Sequence, residues 1–171
     1  TEAPWEVYVM KILIAIDGSP CSDAAVTEVA RRPWPEDTSV RVVTVLEPPI
    51  TPTPETWALP ASYYEEIELG LRKQGQNIIA SALPKLQANK ALSLSSIIVL
   101  GSPRPEILDE AETWGADLIV VGSHGYSALK RFLLGSVSQA VVSHAKCSVE
   151  VVRCAPPAKT AETKSEHKEK E

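Results

Sequence analysis

Four residues in one stretch carry the clearest chemistry in this sequence. "GSHGYSALKRFLLGS" runs from Gly122 to Ser136 and holds the spacing Gly122-x2-Gly125-x9-Gly135-Ser136. The spacing fits a site for an anionic group. Glycine at 122 and 125 lets the backbone take positive φ and approach a ligand closely. Gly135-Ser136 precedes an apolar helical pattern, and the first N–H groups of a helix have no intrahelical acceptor. Such a terminus attracts phosphate without a lysine. Lys130 and Arg131 add positive charge, and a guanidinium matches phosphate geometry. His124 lies within the loop, and the Ser136 hydroxyl can donate to the same anion. The spacing matches neither GxxxxGK[ST] nor GxGxxG. From the residues alone a second reading stays open: a glycine turn ending a strand, with Ser136 as an ordinary N-cap.

Asp17 ends the apolar run "VYVMKILIAID" (7–17). Its carboxylate can accept from a nucleoside amine or hydroxyl, or it can close an Asx-turn in "DGSP". No dedicated general base stands out, so catalytic residues stay unassigned. Phosphoryl transfer needs a metal and a positioned nucleophile. Mg²⁺ or Mn²⁺ is expected to arrive with a polyphosphate rather than to bind protein ligands first. Cys21, Cys147 and Cys154 form no CxxC pair. Their odd number and wide spacing predict reduced thiols in a cytoplasmic protein, with no metal site.

Positioning such residues requires a scaffold. Residues 7–17 read as a strand buried on both faces. "DAAVTEVARR" follows as a helix, capped by Ser22 or Asp23 and stopped at Pro33-Trp34-Pro35. "SVRVVTVLE" (39–47) is a second strand. "PPITPTPETWALP" then holds five prolines between Pro48 and Pro60, which excludes a central strand or a helix. Trp57 in this segment is either a packing element or a cover for a pocket; Trp34 and Trp114 read as packing elements. Apolar residues return at helical spacing from Ser62, and Pro84 is expected to kink or split that helix. "LSLSSIIVLG" (92–101) is a third strand, and "SPRPEILDEAETWG" (102–115) a helix capped by Ser102. "ADLIVVG" (116–122) is a fourth strand. After the glycine loop, "SVSQAVVSHA" (136–145) is a helix and "SVEVVR" (148–153) a fifth strand. Apolar strands alternating with helices imply a parallel sheet covered on both faces. Ligands bind such sheets beyond the carboxyl ends of the strands, where the winding reverses. Asp17, Val45 and Gly122 all lie near such ends.

The 171 residues suffice for one domain with a sizeable core. A net charge of −5 argues against general nucleic-acid binding. No apolar run reaches the roughly 20 residues of a membrane-spanning helix. Met10 is the only methionine, so residues 1–9 read as an added remnant or an upstream extension. The domain is expected over 10–154. The tail 155–171 has alternating charges and almost no bulky apolar residue, which predicts disorder.

"KILIAIDGS", "ADLIVVGSHG", the glycine pattern and "SVSQAVVSHAKCSVEVVR" together resemble the universal stress protein family, over about Met10 to Arg153. The resemblance implies a single-domain, Rossmann-like α/β fold with a five-stranded parallel sheet ordered 3-2-1-4-5. It is to the branch that binds ATP and carries the glycine pattern. By position it implies that Asp17 contacts the nucleotide and that the Val45 backbone contacts adenine. Ala15 stands where relatives often have proline. Val121 and Gly122 line the site, and Gly125, Gly135, Ser136 and Val137 contact ribose and phosphate. The resemblance also implies a homodimer through the edge strand Val149–Val152. The function it implies is an ATP-binding stress-response switch or interaction module. A slow ATPase or phosphotransferase and an interaction protein without nucleotide are the alternatives.

Overall fold

A computed structural model describes residues 9–49, 53, 59–125 and 134–154. Lys130, Arg131, Trp57 and the ends 1–8 and 155–171 lie outside the described residues.

Five strands and four helices alternate among the described residues. They are β1 (Lys11–Ala15), α1 (Pro20–Arg31), β2 (Thr38–Leu46), α2 (Ala61–Gln87), β3 (Leu92–Leu100), α3 (Pro103–Trp114), β4 (Leu118–Gly122), α4 (Ser136–His144) and β5 (Ser148–Val152). The strands form one sheet in the order β3-β2-β1-β4-β5, and all neighbours run parallel. The chain winds outward from β1 to one edge, then returns to β4 on the other side of β1. The reversal therefore lies between β1 and β4, which pair from Ile12 with Leu118 to Ala15 with Val121.

Both faces are buried because successive strand residues point to opposite sides. Ile12, Ile14, Val40 and Val42 pack on one face against Val26 and Val29 of α1 and Ile79 and Leu86 of α2. Leu13, Val43, Ile119 and Val121 pack on the other against Ile107 of α3 and Val141 of α4. Burial of each such side chain contributes about 1.5–3 kcal/mol.

The helix boundaries correct three expectations. Ser19, not Ser22 or Asp23, caps α1: its hydroxyl accepts from the Ser22 N–H at 3.3 Å. Pro20 therefore takes the first helical position, where its missing N–H costs nothing. Gly135, not Ser136, caps α4, so Ser136 is already helical. Helix α2 runs as one assigned element past Pro84 rather than splitting. Buried Ile79, Ala82 and Leu86 bracket that proline, so tertiary packing outweighs the lost backbone hydrogen bond. Ser102 does cap α3, although without a side-chain bond. Trp34 and Trp114 are tied into the scaffold. The Trp34 indole donates to Val29 O at 2.8 Å, and the Arg41 guanidinium lies 4.5 Å from the Trp114 ring.

One charged clamp joins α1 to the sheet edge. Arg32 donates to both Glu150 oxygens, at 2.7 and 2.6 Å, and to Glu28 at 2.9 Å. These bonds raise the Arg32 pKa further, Glu150 first and Glu28 second. The Arg32 hydrogen bond holds the Glu28 carboxyl below its ordinary value of 4.5. Stabilisation from Glu28 is thus complete above that value and is lost as pH falls through the lower folded value. Arg32→Ala is expected to lower the melting temperature by a few degrees at pH 7 and by much less at pH 3. Calorimetry at the two pH values measures this, and an equal loss at both would contradict the clamp.

Candidate functional site

The carboxyl ends of β1, β2 and β4 open into a cleft of about 130 Å³. Ala15, Val43, Val45 and Val121 supply strand walls, and Ile107 of α3 and Val137 of α4 close the apolar side. Asp17, Gly122 and His124 line the same cleft. Seven residues expected from sequence thus meet here: Ala15, Asp17, Val45, Val121, Gly122, His124 and Val137. Gly125 lies beside the cleft, and Gly135 and Ser136 lie at the start of α4. Arg131 lies outside the described residues.

Asp17 closes a turn and also lines the cleft. Its Oδ1 accepts the Ser19 N–H at 2.9 Å, which closes the Asx-type turn, and Gly18 adopts φ 82°. Its Oδ2 faces Gly125 so closely that a Cβ there would lie 2.6 Å away. A side chain at position 125 would therefore push this carboxylate oxygen aside.

The glycines work differently from the sequence expectation. Among the described residues positive φ occurs at Gly18, Gly101, Gly115 and Asp37, not at Gly122 or Gly125. Gly122 is an ordinary strand residue, and its requirement is contact. A Cβ at 122 would sit 2.6 Å from the Cys21 carbonyl carbon and 2.8 Å from the Ser22 nitrogen. The absent side chain lets β4 end directly against the first turn of α1.

Ser123 holds the site together, and sequence reading missed it. Only 2% of it is exposed. Its N–H donates to Val152 O at 2.8 Å. Its carbonyl accepts the Gly135 N–H at 2.8 Å and lies 3.1 Å from the Ser138 hydroxyl. Its own hydroxyl lies 3.0 Å from His124 Nδ1. One serine thus joins β4, β5 and the start of α4, bringing the two ends of the glycine loop together. Ser19 Oγ donates to the His124 carbonyl at 3.3 Å. His124 Nε2 is buried with no hydrogen-bond partner among the described residues. A buried polar atom without a partner costs roughly 1–3 kcal/mol. Beside it, Ser136, Val137 and Ser138 present the first-turn N–H groups of α4, which have no intrahelical acceptor.

A second, open groove of about 490 Å³ lies across Asp17 and is bordered by Lys73, Gln74 and Asn77 of α2. The helical pattern of α2 gave no reason to single these residues out. No group of three or more His, Cys, Asp or Glu suited to a metal ion occurs among the described residues. No described helix is long and apolar enough to cross a membrane.

The cysteines require a correction. Cys21 and Cys154 form a disulfide across 133 residues, with Cα atoms 4.7 Å apart. Spacing along the chain gave no hint of it, because the parallel topology brings the start of α1 and the end of β5 to the same edge of the sheet. Cys147 stays a free, half-buried thiol. Burial raises its pKa, and the Asp117 charge adds to the rise.

Comparison with known proteins agrees with this architecture. The model of the Universal stress protein family matches residues 9–153. Universal stress protein YxiE of Bacillus subtilis is 34% identical over 146 residues, 84% of this chain and 98% of that protein. The chain spans about half the length of its mycobacterial relatives, such as Mb2028c of Mycobacterium bovis, to which it is 36% identical over 82% of its own length and 47% of theirs. The solved structure of hypothetical protein MJ0577 is 28% identical with a TM-score of 0.73, covering 88% of this chain and 99% of that one. A universal stress protein in complex with cAMP shares the fold at 24% identity and a TM-score of 0.57, over 84% of this chain and 95% of that one. Sheet order, domain match and sequence identity agree: the chain belongs to the universal stress protein family.

Proposed function

We propose that this chain binds an adenine nucleotide, with ATP as the expected ligand, and acts as a nucleotide-dependent switch or interaction module in a cytoplasmic stress response. The observation that carries this reading is the Ser123 staple, which brings His124, whose Nε2 is buried with no partner among the described residues, next to Gly135 and the first turn of α4. An anionic oxygen would accept from these groups. In this reading the base lies against Ala15, Val45, Val121 and Val137, with the Val45 backbone facing adenine. The second oxygen of Asp17 holds the nucleoside. Gly122 and Gly125 keep the floor free of side chains. The Gly135, Ser136 and Val137 turn seats the phosphates, and Arg131 adds charge. Mg²⁺ or Mn²⁺ enters with the triphosphate. The fold can carry such a ligand, since the related structure noted above holds cAMP.

Titration calorimetry with ATP tests the pocket. Saturable binding is expected, weakened at least about tenfold by Gly125→Val, whose side chain would crowd Asp17. The melting temperature of that variant should stay within a few degrees of the wild type. Absence of saturable heat, or equal affinity in a folded Gly125→Val protein, would overturn the reading.

The same reading includes a homodimer through β5. This strand is an edge of the sheet, and Val149 and Val151 on it are half-buried. An apolar edge of this kind favours pairing with a second copy. Light scattering at micromolar protein is expected to give twice the chain mass, and monomer alone would contradict it.

A further inference from the structure

We propose that the Cys21–Cys154 disulfide is a redox switch that sets the geometry of the cleft. The inference rests on the nucleotide reading for its ligand, but its structural basis is separate. Cys21 lies in the first turn of α1 and is 4% exposed. Cys154 follows the end of β5 by two residues and is half-buried. The bridge ties together two elements that both rest on Ser123. From one side, α1 packs against Gly122, and the Ser123 hydroxyl lies 3.8 Å from the Cys21 sulfur. From the other, β5 accepts the Ser123 N–H through Val152 O. The Ser123 carbonyl then fixes the Gly135 N–H, and its hydroxyl meets His124 Nδ1. Four contacts at Ser123 thus connect the disulfide to both parts of the anion seat.

The chemistry at that hydroxyl changes with oxidation state. A disulfide sulfur is a weak acceptor, whereas a thiol can also donate and a thiolate accepts strongly. In the tautomer whose Nε2 donates to an anion, Nδ1 is an acceptor, and Ser123 has a single hydroxyl proton to divide between Cys21 and His124. Reduction therefore redistributes the hydrogen bond that orients the imidazole, and it frees β5 from α1. A dithiol is the co-reactant. One of its thiolates attacks the more accessible Cys154 sulfur, and the Cys21 thiolate leaves toward the positive end of α1. The second dithiol sulfur then releases Cys154 and closes a disulfide in the reductant. Two electrons and two protons pass from the dithiol, ending as thiols at Cys21 and Cys154. In a cytoplasmic setting, a disulfide of this kind is typically transient and redox-sensing rather than permanent.

The test uses the full chain in two states, oxidised and reduced with dithiothreitol. Thiol titration of the denatured, unreduced protein should find one free thiol, Cys147; three would overturn the proposal. Calorimetry with ATP should show affinity falling about fivefold or more on reduction. Cys154→Ser should bind like the reduced protein with or without dithiothreitol, and Cys147→Ser should keep the full redox response. Without nucleotide, the Ser123 and Gly135 amide resonances should move on reduction of the wild type and stay fixed in Cys154→Ser. Shifts confined to Cys21, Cys154 and their chain neighbours would refute the coupling, as would equal ATP affinity in both states. Moving Ser123 and Gly135 resonances with no ATP binding in either state would uphold the switch and remove the nucleotide reading instead.

Discussion

The candidate site depends on one backbone hydrogen bond, from the Gly135 N–H to the Ser123 carbonyl at 2.8 Å. It joins the end of β4 to the start of α4 and fixes where the loop between them begins and ends. Together with the packing of Val141 in the core, it sets the first turn of α4 close to His124. The bond lasts because Ser123 is held on every side: by Val152 O at its nitrogen, by Ser138 near its carbonyl and by His124 at its hydroxyl. A buried backbone group with all its partners in place is costly to displace. The two described ends of the loop are therefore anchored by the sheet itself.

That anchoring explains the glycines better than conformational freedom does. Gly122 is bare because the backbone of the first turn of α1 passes within contact distance, and a side chain at Gly125 would displace the Asp17 carboxylate. Both requirements arise from the reversal of winding between β1 and β4, which brings the two strand ends side by side. The same reversal places the apolar ends of β1 and β2 under the cleft, opposite α3 and α4. Fold and site are one construction: an aromatic-poor, aliphatic sheet whose carboxyl edge is left open where the helices part.

Much of the fold was legible in the sequence. Continuous apolar strands alternating with amphipathic helices specify a covered parallel sheet, whereas most of the proline-rich segment after β2 lies outside the described residues. The pairing of β1 with β4 was not legible from periodicity, because strand order depends on contacts distant in sequence; the family resemblance supplied it. Helix boundaries slipped where several residues compete to cap, as at Ser19 against Ser22 and Asp23. Pro84 does not split α2, because packing on either side outweighs the local propensity. Most residues of the cleft could be named, since strand ends and glycine spacing are sequence features. Ser123 could not, because a serine between a glycine and a histidine carries no local sign of three long-range bonds. The disulfide escaped for the same reason: Cys21 and Cys154 are neighbours only in the folded chain.

The central claim is that the stapled loop presents the His124 Nε2 atom and the α4 amides to an anionic oxygen. Imidazole and amide ¹⁵N resonances recorded during an ATP titration test it most directly. The account predicts saturable shifts at His124 Nε2 and at the Ser136 and Val137 amides, all following one binding curve. ATP-induced shifts that leave these three nitrogens unmoved while appearing elsewhere on the protein would contradict it.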